Sequence, residues 1–227
     1  MTATAKRLAV GPSPRPAKST RDRILFVAAE LFARQGFHAT TTREIAAAVG
    51  VRQPSLFHHF SSKGTIAEGL LEWDLGRALP RVREIAALGE PAGVRLYRYL
   101  LFDVGHLSSA PYNLSAIYNE EVIGSPDFAR WARLRDELHD VVQSIVADGV
   151  ASGEFIQIPA PLVRQAIAGI LVRALTLNSG GRGEGSLLAD QVARLLVRGL
   201  LTDPARIDEI GRLAAQPSEL PSRAIQG

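Results

Sequence analysis

Residues 40–63, TTTREIAAAVGVRQPSLFHHFSSK, constrain this chain more than any other stretch. Thr41 followed by Glu44 is a capping box, so a helix opens at Thr42 and runs to about Val49. Ile45 and Val49 lie four apart and share its inner face. Gly50 follows where a left-handed residue ends a helix without Cβ strain. Val51 plugs the turn. Pro54 suits the first turn of a second helix, because its missing N–H is not needed there. Leu56 and Phe60, again four apart, face Ile45 and Val49, and Ala46 is small where the two helices cross. Two short helices around a glycine turn, the second free of carboxylates, form a helix-turn-helix suited to a DNA major groove.

The charge distribution agrees. Residues 1–63 hold ten basic and three acidic groups, a net of +7; the other residues hold sixteen and twenty, a net of −4, which restores the chain's +3. A basic module on a mildly acidic remainder suits one part that meets a polyanion and one that does not. With no cysteine, neither disulfides nor thiolate metal sites are expected. No continuous apolar leader and no charge-free run of about 18 apolar residues is present, so no membrane association and a cytoplasmic location are expected.

The rest of the chain reads as helices. Residues 1–18, with Lys6, Arg7, Arg15 and Lys18, read as a disordered basic arm. Ser19 and Asp22 cap a first helix carrying Ile24, Leu25, Ala28, Leu31 and Phe32, stopped by Gly36, and Phe37 packs behind it. A linking helix from Gly64 to about Leu79 is broken or kinked by Pro80. A short helical piece follows, then a break at Gly89–Pro91 and an amphipathic helix with Val94, Tyr97, Leu100, Leu101 and Val104. Tyr112–Ile123 reads as helical. Ser125 and Pro126 open a long helix to about Ala151, with pairs such as Arg133–Glu137 on its polar face and Gly153 as its stop. The helices at 161–177 and 186–201 are apolar over more than one stripe, with small Ala166, Gly169 and Ala174, and are expected to form a homodimer interface as a four-helix bundle. SGGRGEGS between them is a loop, without the strand or Gly-Lys-Ser/Thr of a phosphate cradle. A short piece with Ile207, Ile210 and Leu213 docks before the tail. The expected division is an arm over 1–18, a helix-turn-helix domain over 19–63, a ligand-binding and dimerisation domain over 64–216 and a disordered tail over 217–227. The fold class is all-α.

The patterns RILFVAAELFARQGF, TTREIAAAVGV and PSLFHHFSSK resemble the DNA-binding domain of the tetracycline-repressor (TetR) family over residues 20–72. The resemblance implies a homodimer on a palindromic, double-stranded DNA operator, commonly repressing and released by a small-molecule effector bound in the C-terminal domain. It places Thr42 and Arg43 against phosphate or base, Gln53, Pro54 and Ser55 at the base edges, and His59 and Lys63 at phosphate. Gln pairs with adenine and Pro offers an apolar edge to a thymine methyl. Two residues depart from the pattern. Phe57 replaces a tyrosine whose hydroxyl bonds phosphate and can only pack. Arg52 replaces a capping serine, so the second helix loses a cap while the guanidinium gains reach to phosphate or guanine. Candidate effector contacts are His106, Tyr112, Tyr118, Trp131 and Arg173, and the aliphatic content suits an effector that is at least partly apolar. His58 and His59 point about 100° apart on a helix and make a poor metal pair. No catalytic ordering, cofactor loop or metal spacing is present, so neither an enzyme nor a cofactor is expected. An activator and a helical adaptor that never binds DNA stand as alternatives.

Overall fold

The computed structural model describes the backbone of residues 19–177 and 184–217, and side chains over 19–171 and 187–217. The expected arm over 1–18, the glycine-rich stretch at 178–183 and the tail beyond 217 lie outside the described residues.

The reading head comprises α1 (Thr20–Gln35), α2 (Thr42–Val49) and α3 (Gln53–His59), with α1 packed on α2 and α2 on α3. Ser19 caps α1 by accepting from the Asp22 amide at 3.1 Å. The capping box of α2 is complete: Glu44 Oε2 accepts from the Thr41 amide at 2.8 Å, and Thr41 Oγ1 from the Glu44 amide at 3.2 Å. Gly50 ends α2 at φ 79°, ψ 31°, the left-handed region where a Cβ is strained. Ile24, Leu25, Ala28, Phe32, Ile45, Ala46, Val49, Leu56 and Phe60 are buried and form the core of the head.

The head joins the remainder through α4 (Lys63–Ala86), and here the expectation of a break at Pro80 is corrected. Pro80 lies inside one uninterrupted helix. Ala78, Leu79, Val82 and Ile85 are buried around it. Their burial offsets the roughly 3 kcal/mol that an interior proline costs. The expected separate piece after residue 80 is therefore the end of α4.

Helix α5 (Ala92–Ser108) is the axis of the larger domain. It packs against α4, α7 (Ala129–Ala151), α8 (Ala160–Leu177), α9 (Glu184–Leu200) and α10 (Ile207–Ala215). Its buried residues surround the helix, including Val94, Leu96, Tyr97, Tyr99, Leu100, Asp103 and Val104, as enclosure on all sides requires. Arg98 fixes α10 onto it. Its guanidinium bonds both Glu90 oxygens at 2.7 and 2.8 Å and donates to the carbonyls of Leu213, Ala214 and Gln216 at the end of α10.

The expected helix over Tyr112–Ile123 shrinks to α6 (Glu120–Ile123). Asn113 Oδ1 accepts from the Ser115 amide at 3.2 Å and the Ser115 hydroxyl at 2.7 Å, a local arrangement that competes with helical pairing. Asn119 then caps α6 through the Glu121 amide. The 3₁₀ turn Pro126–Phe128 leads into α7. The anticipated Arg133–Glu137 pair does not form; Glu137 binds Arg83 of α4 instead. Gly149 of α7 is required by close approach: a Cβ there would lie 2.2 Å from the Phe155 ring. An isolated antiparallel bridge between Phe155 and Leu201 closes the loops at that end.

Candidate nucleic-acid interface and inner chamber

The outer surface of the head is formed by the starts of α2 and α3. Arg43, Arg52, Gln53, Pro54, Ser55, Phe57 and His59 are all exposed there, and Thr42 is half-buried. Gln53 Nε2 donates to Thr42 Oγ1 at 3.3 Å, so the openings of the two helices are held together. Arg23 donates to the Val49 carbonyl at 2.5 Å and holds the end of α2 to α1. Arg52 occupies the position before α3 and makes no side-chain cap, which leaves its guanidinium free to extend outward. Phe57 is 43% exposed, a large apolar ring on a polar surface.

Lys63 has a second role that the sequence does not announce. Its ammonium donates to the carbonyls of Phe37 at 2.6 Å and His38 at 3.0 Å, and lies 4.5 Å from the Phe37 ring centre. It therefore clamps the start of α4 to the α1–α2 turn. Partial burial lowers its pKa. Two of its three N–H donors are committed to these carbonyls.

A cavity of ≈ 200 Å³ opens between α4, α5, α7 and α8. Asp74, Tyr99, Asp103 and Tyr118 line one side; Arg135, His139 and Arg164 line another; apolar residues such as Leu75, Leu138, Val142, Ile167 and Leu171 fill the space between. Asp74 is 4% exposed and both of its oxygens are engaged. Oδ1 lies 3.0 Å from His106 Nε2, and Oδ2 accepts from the Tyr118 hydroxyl. Asp103 accepts from the Tyr99 hydroxyl at 3.2 Å. Burial first, and the neighbouring Asp74 charge second, raise the Asp103 carboxyl to about 7. Burial and the carboxylates push the Tyr99 and Tyr118 hydroxyls well up. His139 is lowered, by burial and then by Arg164 and Arg135.

The anticipated effector contacts divide. Tyr118 lines the cavity. His106 stands one bond behind its wall, holding Asp74 and stacked on Trp73 with ring centres 4.7 Å apart and planes at 12°. Tyr112 is placed elsewhere, edge-on to Trp73 at 5.7 Å. Trp131 is also elsewhere: it is buried beside the groove between α3, α4 and α7, with Arg130 over its ring. Both lie outside the cavity, toward the head: Trp131 beside α3 and Tyr112 near Arg21 and Asp22 of α1. The Arg173 side chain is outside the described residues. Sequence reading missed Asp74, Tyr99, Asp103, Arg135, His139 and Arg164. The available signal was an acid inside an apolar helical stripe: Asp74 sits between Leu71 and Leu75, and Asp103 one turn from Tyr99.

An all-helical chain with an exposed helix-turn-helix on a larger helical domain enclosing a chamber has the architecture of a DNA-binding transcriptional regulator. Residues 24–70 match the profile of bacterial regulatory proteins of the tetR family, and residues 105–200 match the tetracyclin repressor-like C-terminal domain. The transcriptional repressor KstR2 of Rhodococcus jostii is 32% identical over 152 residues, covering 63% of this chain and 74% of that protein. The transcriptional regulator UidR of Escherichia coli is 26% identical over 195 residues, 82% of this chain and 95% of its own. The crystal structure of AmtR from Mycobacterium smegmatis superposes with a TM-score of 0.73 at 29% identity, covering 89% of this chain and 98% of that one. The chain belongs to the TetR family of bacterial transcriptional regulators.

Proposed function

We propose that this protein is a homodimeric repressor, active in the cytoplasm, that binds a palindromic operator and is released from it by a small molecule held in the inner chamber. One observation carries the reading. Helix α4 is continuous from Lys63, clamped to the head, to Ala86, and Asp74, Leu75 and Ala78 of the same helix line the chamber. A ligand that prefers one placement of α4 thereby prefers one separation of the two heads, which must be roughly 34–36 Å for successive major grooves. The coupling this needs is modest, about 1–3 kcal/mol. The relative named a repressor supports the sign of regulation.

On the operator, Gln53, Pro54 and Ser55 face base edges, Arg43 and Arg52 face base or phosphate, and Thr42, His59 and the third N–H of Lys63 face phosphate. Phe57 packs against the backbone sugars. The protein acts by binding and needs no catalysis or cofactor. The test is a binding titration against the DNA upstream of its own gene at several salt concentrations. Specific retention with a steep salt slope is expected, and Gln53→Ala with Ser55→Ala together should relax sequence choice. Absence of a shift on any genomic fragment sinks the proposal. An unchanged footprint in the double variant overturns the recognition-helix assignment.

A further inference from the structure

We infer that the chamber takes a small amphipathic carboxylic acid, its carboxylate on Arg164 and its chain on the apolar wall. The inference rests on the effector reading above and names the ligand's chemistry.

The two guanidinium groups of the chamber are not equivalent. Arg135 is matched by carboxylates: Glu120 accepts from Nη1 at 2.8 Å, and Asp136 from Nε and Nη2 at 3.1 and 3.0 Å. Arg164 has no such match. Its one partner among the described residues is the ring of His139, with Nη1 3.2 Å from Nδ1. A guanidinium only donates, so the imidazole accepts at Nδ1 and is neutral, with its proton on Nε2. The nearby cations and burial favour that neutral form. Arg164 thus holds a partly buried positive charge without a counter-ion among the described residues, and a half-matched buried charge is costly until an anion arrives. Guanidinium offers a carboxylate two parallel N–H bonds.

The acidic wall does not compete for the same role. Both oxygens of Asp74 are engaged by His106 and Tyr118, and Asp103 already accepts from Tyr99. These bonds already give the wall's carboxylates polar partners, whereas Arg164 has no carboxylate partner among the described residues. What that wall offers is an acceptor or hydroxyl for a neutral polar group. Between the walls, Leu75, Leu138, Val142, Ile167 and Leu171 suit an aliphatic chain. The ≈ 200 Å³ available lies below the roughly 300–1,000 Å³ of pockets for larger ligands, so the acid is short.

The test is calorimetric titration of the full-length protein with octanoate, octan-1-ol and octylamine, three probes that share a chain and differ in the head group. Octanoate is expected to bind at least tenfold more tightly than the alcohol, and the amine to bind most weakly. Arg164→Gln should bring octanoate down to the alcohol's level and leave the alcohol unchanged. Arg164→Lys keeps the charge without the paired donors and should fall between; it serves also if Arg164→Gln does not fold. A preference for octylamine, an octanoate preference that survives Arg164→Gln, or no octanoate binding by folded wild type overturns the inference. The effector reading fails separately. Octanoate that binds through Arg164 yet leaves operator affinity unchanged at saturation upholds this ligand class and removes its regulatory role.

Discussion

The ring of Phe37, in the turn between α1 and α2, meets the ring of Phe128 edge-on, with centres 5.8 Å apart and planes at 76°. Phe128 ends the 3₁₀ turn ahead of α7, whose Leu138, His139 and Val142 line the chamber. The head therefore touches the larger domain through this aromatic contact as well as through α4. Phe37 is itself held by Phe32 at 5.1 Å and by the Lys63 ammonium, so both connections converge on one turn. A displacement of α7 relative to α4 would be felt at the start of α2.

Phe128 is 3% exposed, and truncating a buried phenylalanine to alanine typically costs about 3–5 kcal/mol through lost transfer and cavity terms. Phe128→Ala is expected to lose stability in that range in urea unfolding, and to bind operator more weakly because the head is less firmly seated. A variant as stable as wild type would show that the ring is not packed at this junction.

Phe57 is exposed beside Gln53 and Ser55 but has no hydroxyl to offer a phosphate. Phe57→Tyr adds one neutral donor toward a charged acceptor, a bond of about 1.5–3 kcal/mol. Operator affinity should rise roughly ten- to a hundredfold with the salt slope unchanged, because no ionic group is added. Gel-shift titrations at two salt concentrations check both parts. Unchanged affinity would mean that this ring does not face the DNA backbone.

Asp103 makes stability pH-dependent in a definite direction. Its folded carboxyl sits at about 7 against an ordinary 3.8. Between those values the folded protein keeps a proton that the unfolded chain has released, so this group's contribution falls as pH rises from about 4 to 7 and is level above. The groups facing it are Asp74, Tyr99 and His106. His139 acts with the opposite sign, since its lowered value makes stability fall as acid rises below 6.5, but it is common to wild type and variant. Asp103→Asn should therefore gain on wild type as pH rises from 5 to 7, by up to roughly 3 kcal/mol at about 1.4 kcal/mol per pH unit, and hold that gain to pH 8. Chemical unfolding across that range measures the difference. A difference that is flat with pH would mean that the carboxyl is ionised throughout.

The head was legible in the sequence because each of its devices is local. The Thr41–Glu44 box, the Gly50 turn and the spacing of Ile45, Val49, Leu56 and Phe60 are all set within about twenty residues of one another, and each appears in the structure as read. The chamber was not legible for the opposite reason. Arg164 and His139 come together across 25 positions, and Tyr118 and Asp74 across 44, through tertiary packing that periodicity does not encode. Pro80 and Tyr112–Ile123 misled in complementary ways. Buried neighbours carried a helix through the proline, while Asn113 supplied bonds that undid a helix where propensity favoured one.

Helices α8 and α9 present an unsatisfied apolar surface. Leu162 is 55% exposed, Leu187 60% and Leu195 69%, and Ala166 and Gly169 are exposed where a second helix could approach closely. Isolated exposed leucines need no explanation, but three on two helices of the C-terminal domain suit a surface buried by a second copy of the chain. Leu195→Glu places a charge on that surface without touching the core, so the monomer should keep its helical content. Introducing a like charge from each subunit across a twofold interface leaves both without partners, a cost of several kcal/mol. Sedimentation should show the dimer giving way to monomer at micromolar concentration. Operator affinity should fall by orders of magnitude, since one head alone no longer gains from the effective concentration of its twin. A variant that remains dimeric places the interface elsewhere. A variant that is monomeric yet binds the full operator as tightly as wild type removes the need for two linked heads.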